Sequence, residues 1–155
     1  MALENATQED VPDTRRIQTW VKAAVQQAES DELMASMATQ MTVRIVEIDE
    51  MESLNQQYRK KTGPTNVLSF PFEAPSGIPI DLIEPALGDV VVCAAVVTHE
   101  AAAQGKTLIA HWAHMIVHGT LHLLGYDHIQ NDDAQKMETL EIAVLAELGY
   151  ANPYS

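Results

Sequence analysis

The stretch of this chain best equipped for chemistry is HGTLHLLGYDH, residues 118–128. His118 and His122 stand four apart, so on a helix both imidazoles leave one face with Cβ atoms about 5–6 Å apart. That separation lets two side chains converge on one ion. Gly125 comes three residues after His122, where a backbone with positive φ ends a helix and turns the chain. The turn brings His128 back toward the same point. Three neutral imidazoles leave a fourth coordination position open, as a catalytic zinc site requires. One zinc ion is therefore expected on His118, His122 and His128, although nickel, iron or copper could take the same ligands. A structural zinc is disfavoured, because no cysteine stands nearby as a fourth ligand. The single cysteine, Cys93, lies in an apolar run and reads as core.

The spacing His-x3-His-x5-His with glycine at the turn matches the metzincin motif H-E-x-x-H-x-x-G-x-x-H, with one difference. Gly119 occupies the position where a metalloprotease carries its glutamate base. Peptide hydrolysis by the usual route is not expected, and a general base, if one is used, must come from elsewhere or be the metal-bound hydroxide itself. His114 extends the same helical face by one turn and has ligand spacing with His118. The glycine turn favours the later triple. His114 is then left to support a ligand, to touch substrate, or simply to pack. His111 reads as exposed. Asp127 either orients a ligand histidine or is an ordinary turn aspartate.

These residues need a scaffold. Thr107 can cap a long helix running to Leu124 and stopped by Gly125. Before it, Asp89–Val97 is a continuous apolar run, the pattern of a strand covered on both faces, and Thr98–Gln104 reads as a short helix. Met41–Ile48 reads as a strand. Asp49 and Glu52 form a capping-box pattern opening a helix stopped by Gly63-Pro64, and Asn66–Phe70 reads as an edge strand ahead of Pro71. Pro12 and Asp13 suit a first helical turn, with Ile17, Trp20, Val21, Ala24 and Val25 at helical spacing behind them. Asn131 or Asp132 opens a last helix with Met137, Leu140, Val144, Leu145 and Leu148 inward. The expected architecture is α+β: one domain over residues 12–155, a small mixed β-sheet packed with helices around a zincin-like histidine helix. Residues 1–11 are polar and expected to be weakly ordered.

The chain has 155 residues with a net charge of −13, enough for one domain with a real core. No run approaches the roughly 18 apolar residues of a membrane span, and the N-terminus does not resemble a signal peptide. With its lone cysteine, the chain suits a reducing cytoplasm. A charge of −13 argues at face value against nucleic acid, but its distribution changes that. Residues 53–72 and 101–126 contain no carboxylate and carry +4 together, while the remaining 109 residues carry −17. The stretches that hold Arg59, Lys60, Lys61 and four of the histidines are thus neutral to basic within an acidic shell. The triplet at 59–61 reads either as a phosphate clamp or as a solvated helix end whose cations favour the dipole. Tyr58, Phe70 and Tyr126 could stack on bases, with packing as the default.

Two blocks carry a wider likeness: LNQQYRKKTGPTNVLSFPFE, residues 54–73, and AHWAHMIVHGTLHLLGYDH, residues 110–128, joined through LGDVVVC. In these blocks, and over nearly all the chain from about Ile17, the sequence resembles the YbeY family of bacterial rRNA maturation factors. The resemblance implies a single-strand-specific endoribonuclease with zinc on His118, His122 and His128 and a functional arginine at Arg59 beside the metal. It further implies processing at the 3′ end of 16S rRNA, ribosome quality control, and contact with the small ribosomal subunit and its assembly GTPase. Two positions depart from the family: Thr62 stands where an aspartate is usual, and only Met1–Leu3 could represent its opening apolar strand.

The expected activity is therefore metal-dependent hydrolysis of a phosphodiester in single-stranded ribosomal RNA, with Arg59 and His118 in the catalytic roles. Lys60, Lys61 and His114 are secondary candidates for substrate contact. The alternatives are a metal-dependent hydrolase of a non-RNA substrate and a non-catalytic zinc-containing ribosome assembly factor.

Overall fold

Two runs rich in valine and isoleucine make the centre of the sheet. Strands β2 (Thr42–Val46) and β4 (Gly88–Cys93) pair in parallel, with Val43 opposite Val90 and Ile45 opposite Val92. The structure, a computed structural model, describes residues 1–73, 76–83, 85–126 and 131–155, the side chains of Ile80 and Asn131 excepted. Strand β1 (Ala2–Asn5) lies parallel to β2 on one edge, and β3 (Val67–Pro71) closes the other edge antiparallel to β4, giving the order β1-β2-β4-β3. Pro71 ends β3 at the edge, where its missing N–H costs no ladder bond.

Side-chain alternation gives the sheet two apolar faces. Val43, Ile45, Val67, Val90 and Val92 pack toward α1 (Thr14–Gln27) and α5 (Leu108–Leu123). Val46, Leu68, Val91 and Cys93 pack on the other face with Met51 of α3 (Ile48–Arg59). The remaining helices are α2 (Glu32–Ala38), α4 (Ala94–Gln104) and α6 (Asn131–Glu147). The result is the expected α+β domain. Among the described residues, no helix is long and apolar enough to cross a membrane.

Several boundaries differ from the sequence reading. Residues 2–5, expected to be loose, form the parallel edge strand β1. Asp13 is not inside the first helix but caps it, accepting from the Arg16 N–H at 2.8 Å. The helix α2 has only seven residues, too few for a periodic signal, and is capped by Asp31. The apolar run 89–97 splits: its strand ends at Cys93 and Ala94 already begins α4, because burial on all sides erases the period that separates strand from helix. Helix α3 opens after Glu47 without a side-chain cap and ends one turn early, with Lys60 left-handed at φ 57°. The buried Asn55 amide then donates to the Gly63 carbonyl at 2.9 Å and holds the following loop.

Candidate metal centre

Helix α5 is apolar on nearly every side, which makes it the central helix between the sheet and the outer helices. Thr107 caps it as expected, accepting from the Ala110 N–H at 3.2 Å. Gly125 turns the chain after it with φ 102°. Along one face stand His111, His114, His118 and His122, with successive ring centroids 6.1, 6.3 and 6.1 Å apart. The first two are buried and the last two partly exposed, so the row opens toward solvent at its C-terminal end.

His111 is not exposed as expected: it is 3 % accessible and hydrogen-bonded through Nε2 to Glu100 at 2.9 Å. Glu100 also accepts from the Asn66 amide at 3.1 Å, tying α4, α5 and the start of β3 together. Burial lowers the His111 pKa even though Glu100 opposes the shift.

The absence of a glutamate after His118 has a geometric cause. Gly119 faces the sheet, and a Cβ there would lie 2.8 Å from Val90 Cγ1 and 3.3 Å from Val67 Cγ2. Its carbonyl accepts from Ser69 Oγ at 3.0 Å, pinning the helix to β3. The position that carries the base in a metalloprotease is here packed directly against the sheet.

Opposite the histidines lies a residue that sequence reasoning missed. Glu141 of α6 is 1 % accessible, and three donors converge on its carboxylate: His114 Nε2, His118 Nδ1 at 3.3 Å and the Tyr154 hydroxyl at 3.0 Å. Burial alone would raise the carboxyl pKa, but the hydrogen bonds and charges of His114 and His118 outweigh it and hold the group at about 2. The Tyr154 hydroxyl is pushed well up, by burial and then by the Glu141 charge. At neutral pH the carboxylate is therefore ionised and accepts only, while the phenol keeps its proton and donates. A signal for Glu141 does exist in the sequence. It falls on the same helical face as Met137, Val144 and Leu145, all buried, and a charge in such a stripe must have partners. Nothing comparable marks Tyr154, which arrives from beyond the last helix.

Ligand atoms of His114, His118 and Glu141 lie within 4.8 Å of one another, a set that could hold a metal ion. Imidazole and carboxylate donors are ligands that zinc, iron, nickel or copper can all take. His118 and His122 are adjacent on α5 as their spacing requires, whereas His128 and Asp127 lie outside the described residues. His114 is turned into the interior against Glu141. Arg59, Lys60 and Lys61 are exposed at the end of α3, which packs on the sheet face opposite α5. Edge strand β3 touches both sides: Phe70 stacks edge-on against Tyr58 at 5.0 Å, while Ser69 holds Gly119. Tyr58 is largely exposed, Tyr126 is partly buried against the main core, and Cys93 is buried as expected.

Residues 2–149 match the family model described as Endoribonuclease YbeY. Two curated relatives carry that same name. The protein of Alcanivorax borkumensis is 52 % identical over 94 % of this chain and 80 % of its own length. That of Methylococcus capsulatus is 49 % identical over 99 % and 94 %. The solution structure of TM1509 from Thermotoga maritima shares the fold, with a TM-score of 0.50 at 23 % identity over 96 % of this chain and 90 % of that one. A match over nearly the whole chain, whose histidine helix is built as described, means that the protein belongs to the YbeY endoribonuclease family.

Proposed function

We propose that this protein is a zinc-dependent, single-strand-specific endoribonuclease acting in rRNA processing, at the 3′ end of 16S rRNA, and in ribosome quality control. His118, His122 and His128 would hold one zinc ion. Zinc in such a site supplies Lewis-acid stabilisation of the negative charge that builds on a phosphate during cleavage. The chain's own groups do the rest. Arg59 clamps the phosphate with two parallel hydrogen bonds, and Lys60 and Lys61 hold neighbouring phosphates. His118 stays oriented through its Nδ1 contact with Glu141.

One observation carries this reading: an i, i+4 histidine pair at the open end of α5 encloses a residue, Gly119, that has no room for a protease's glutamate. The names of the relatives supply the substrate class, RNA. The clustering of His114, His118 and Glu141 favours a second ligand set sharing His118. It is the weaker one, because a metal there must displace the hydrogen bonds that His114 and Tyr154 make to a buried carboxylate.

The proposed partners are single-stranded ribosomal RNA, the small ribosomal subunit and its assembly GTPase, in the cytoplasm. The 109 residues outside the two carboxylate-free stretches carry −17, a net acidity that repels free RNA, so the substrate is best supplied already positioned on the ribosome. The test is cleavage of single-stranded RNA by folded His118→Ala protein, assayed beside peptide and ester substrates. Loss of RNA cleavage is expected. Undiminished cleavage, or wild-type activity confined to peptides or esters, would overturn the proposal. Ribosome assembly fully supported in cells by the same variant would favour the non-catalytic assembly factor.

A further inference from the structure

A carboxylate buried to 1 % among Met137, Val144 and Leu145 is an expensive way to fill a core position. An apolar side chain of similar volume would pack there without desolvating a charge or needing three donors from two other segments. The three donors do more than neutralise Glu141. With three hydrogen-bonding groups converging on its two oxygens, the carboxylate acts as the acceptor, so the His118 ring nitrogen that faces it, Nδ1, carries hydrogen. In a neutral imidazole that leaves the lone pair on Nε2, the nitrogen directed away from Glu141.

We propose that Glu141 is a positioning residue: held by His114 and Tyr154, it locks His118 in the Nδ1–H tautomer and so offers Nε2 to the metal. The inference rests on His118 being a ligand, as proposed above, and assigns Glu141 the role of orienting that ligand rather than binding the ion. His114 and Tyr154 then have a defined task. Their hydrogen bonds, with Tyr154 Oη also 3.4 Å from His114 Nε2, fix the carboxylate from behind, so that its other oxygen stays aimed at His118. Carboxylates that support a metal-bound histidine in this way typically change metal affinity about 10- to 100-fold when removed.

The experiment has two readouts that do not depend on RNA cleavage. The first is the proton–nitrogen correlation spectrum of the imidazoles in metal-free wild-type protein at about pH 9, above the ordinary imidazole range. His118 is expected as Nδ1–H, and an Nε2–H ring overturns the proposal without need of any variant. The second is zinc affinity, measured by competition with a chromogenic chelator, for Glu141→Gln protein of native circular dichroism. Glutamine keeps the volume but presents a single oxygen to three donors. Affinity is expected to fall about 10- to 100-fold with one zinc still bound at saturation. Wild-type affinity overturns the positioning role. So does complete loss of zinc from a folded Glu141→Gln protein, which would make Glu141 a ligand. The ligand set is judged separately by His122→Ala. That variant loses zinc if His118, His122 and His128 hold the ion and keeps it if they do not, whatever Glu141→Gln does.

Discussion

Replacing Gly119 with alanine tests why the histidine helix has its particular sequence. In an ordinary helix interior the change would stabilise by about 1 kcal/mol through helix propensity. Here the new methyl would lie 2.8 Å from Val90 Cγ1, 3.2 Å from Val90 Cγ2 and 3.3 Å from Val67 Cγ2. Both valines are β-branched, buried and held in paired strands, so neither can rotate away at low cost. Nor can the helix lift, because the Gly119 carbonyl is tied to Ser69 at 3.0 Å. Overpacking of this kind costs roughly 1–3 kcal/mol and cancels or outweighs the propensity gain, leaving a net loss of about 0–2 kcal/mol. For a chain of this size that lowers Tm by up to roughly 8 °C. Thermal denaturation of metal-free protein followed by circular dichroism measures it. Gly119→Glu, which restores the protease motif, should fail to fold rather than become a peptidase. A Gly119→Ala protein more stable than wild type by about 1 kcal/mol, as propensity alone would make it, would refute the claim that packing against the sheet dictates glycine there.

Other outcomes follow from the same structure. Arg59→Ala should cut RNA roughly 10- to 100-fold more slowly, the worth of a charged hydrogen-bonded contact, with Tm unchanged because the side chain is exposed. Arg59→Lys should recover only part of the rate, since an ammonium cannot make two parallel bonds to one phosphate. Glu141, with its carboxyl held at about 2 against an ordinary 4.5, contributes stability that is present above pH 4.5 and lost as the pH falls toward 2. In urea titrations of metal-free protein, the pH-dependent advantage of wild type over Glu141→Gln should shrink across that window, by on the order of 3 kcal/mol. An advantage that does not vary between pH 6 and about 2.5 would contradict the depressed carboxyl.

What could be read from the chain beforehand was whatever has a local cause. The capping of α5 by Thr107, its end near Gly125 and the apolar stripes of α1 and α6 each depend on residues within a few positions of one another. The fold class followed from those elements. Boundaries inside continuous apolar sequence did not, as at Cys93–Ala94, where a strand passes directly into a helix and both are buried on every side. The buried state of His111 depends on Glu100, which reaches it from α4 and is itself held by Asn66. The same holds for the centre of the site. Glu141 meets His118 across 23 residues of chain, and Tyr154 meets His114 across 40, contacts that no local spacing encodes. Spacing nominated His118 and His122; tertiary packing supplies the carboxylate behind His118.

The central claim, that a metal on these histidines is needed to cut RNA, is tested most directly on one preparation of wild-type protein. Cleavage of a single-stranded RNA is timed before metal removal, after dialysis against a strong chelator, and after one equivalent of zinc is restored. Activity is expected to disappear on stripping and to return with zinc. Unchanged cleavage by the stripped protein, at verified metal content, would contradict it.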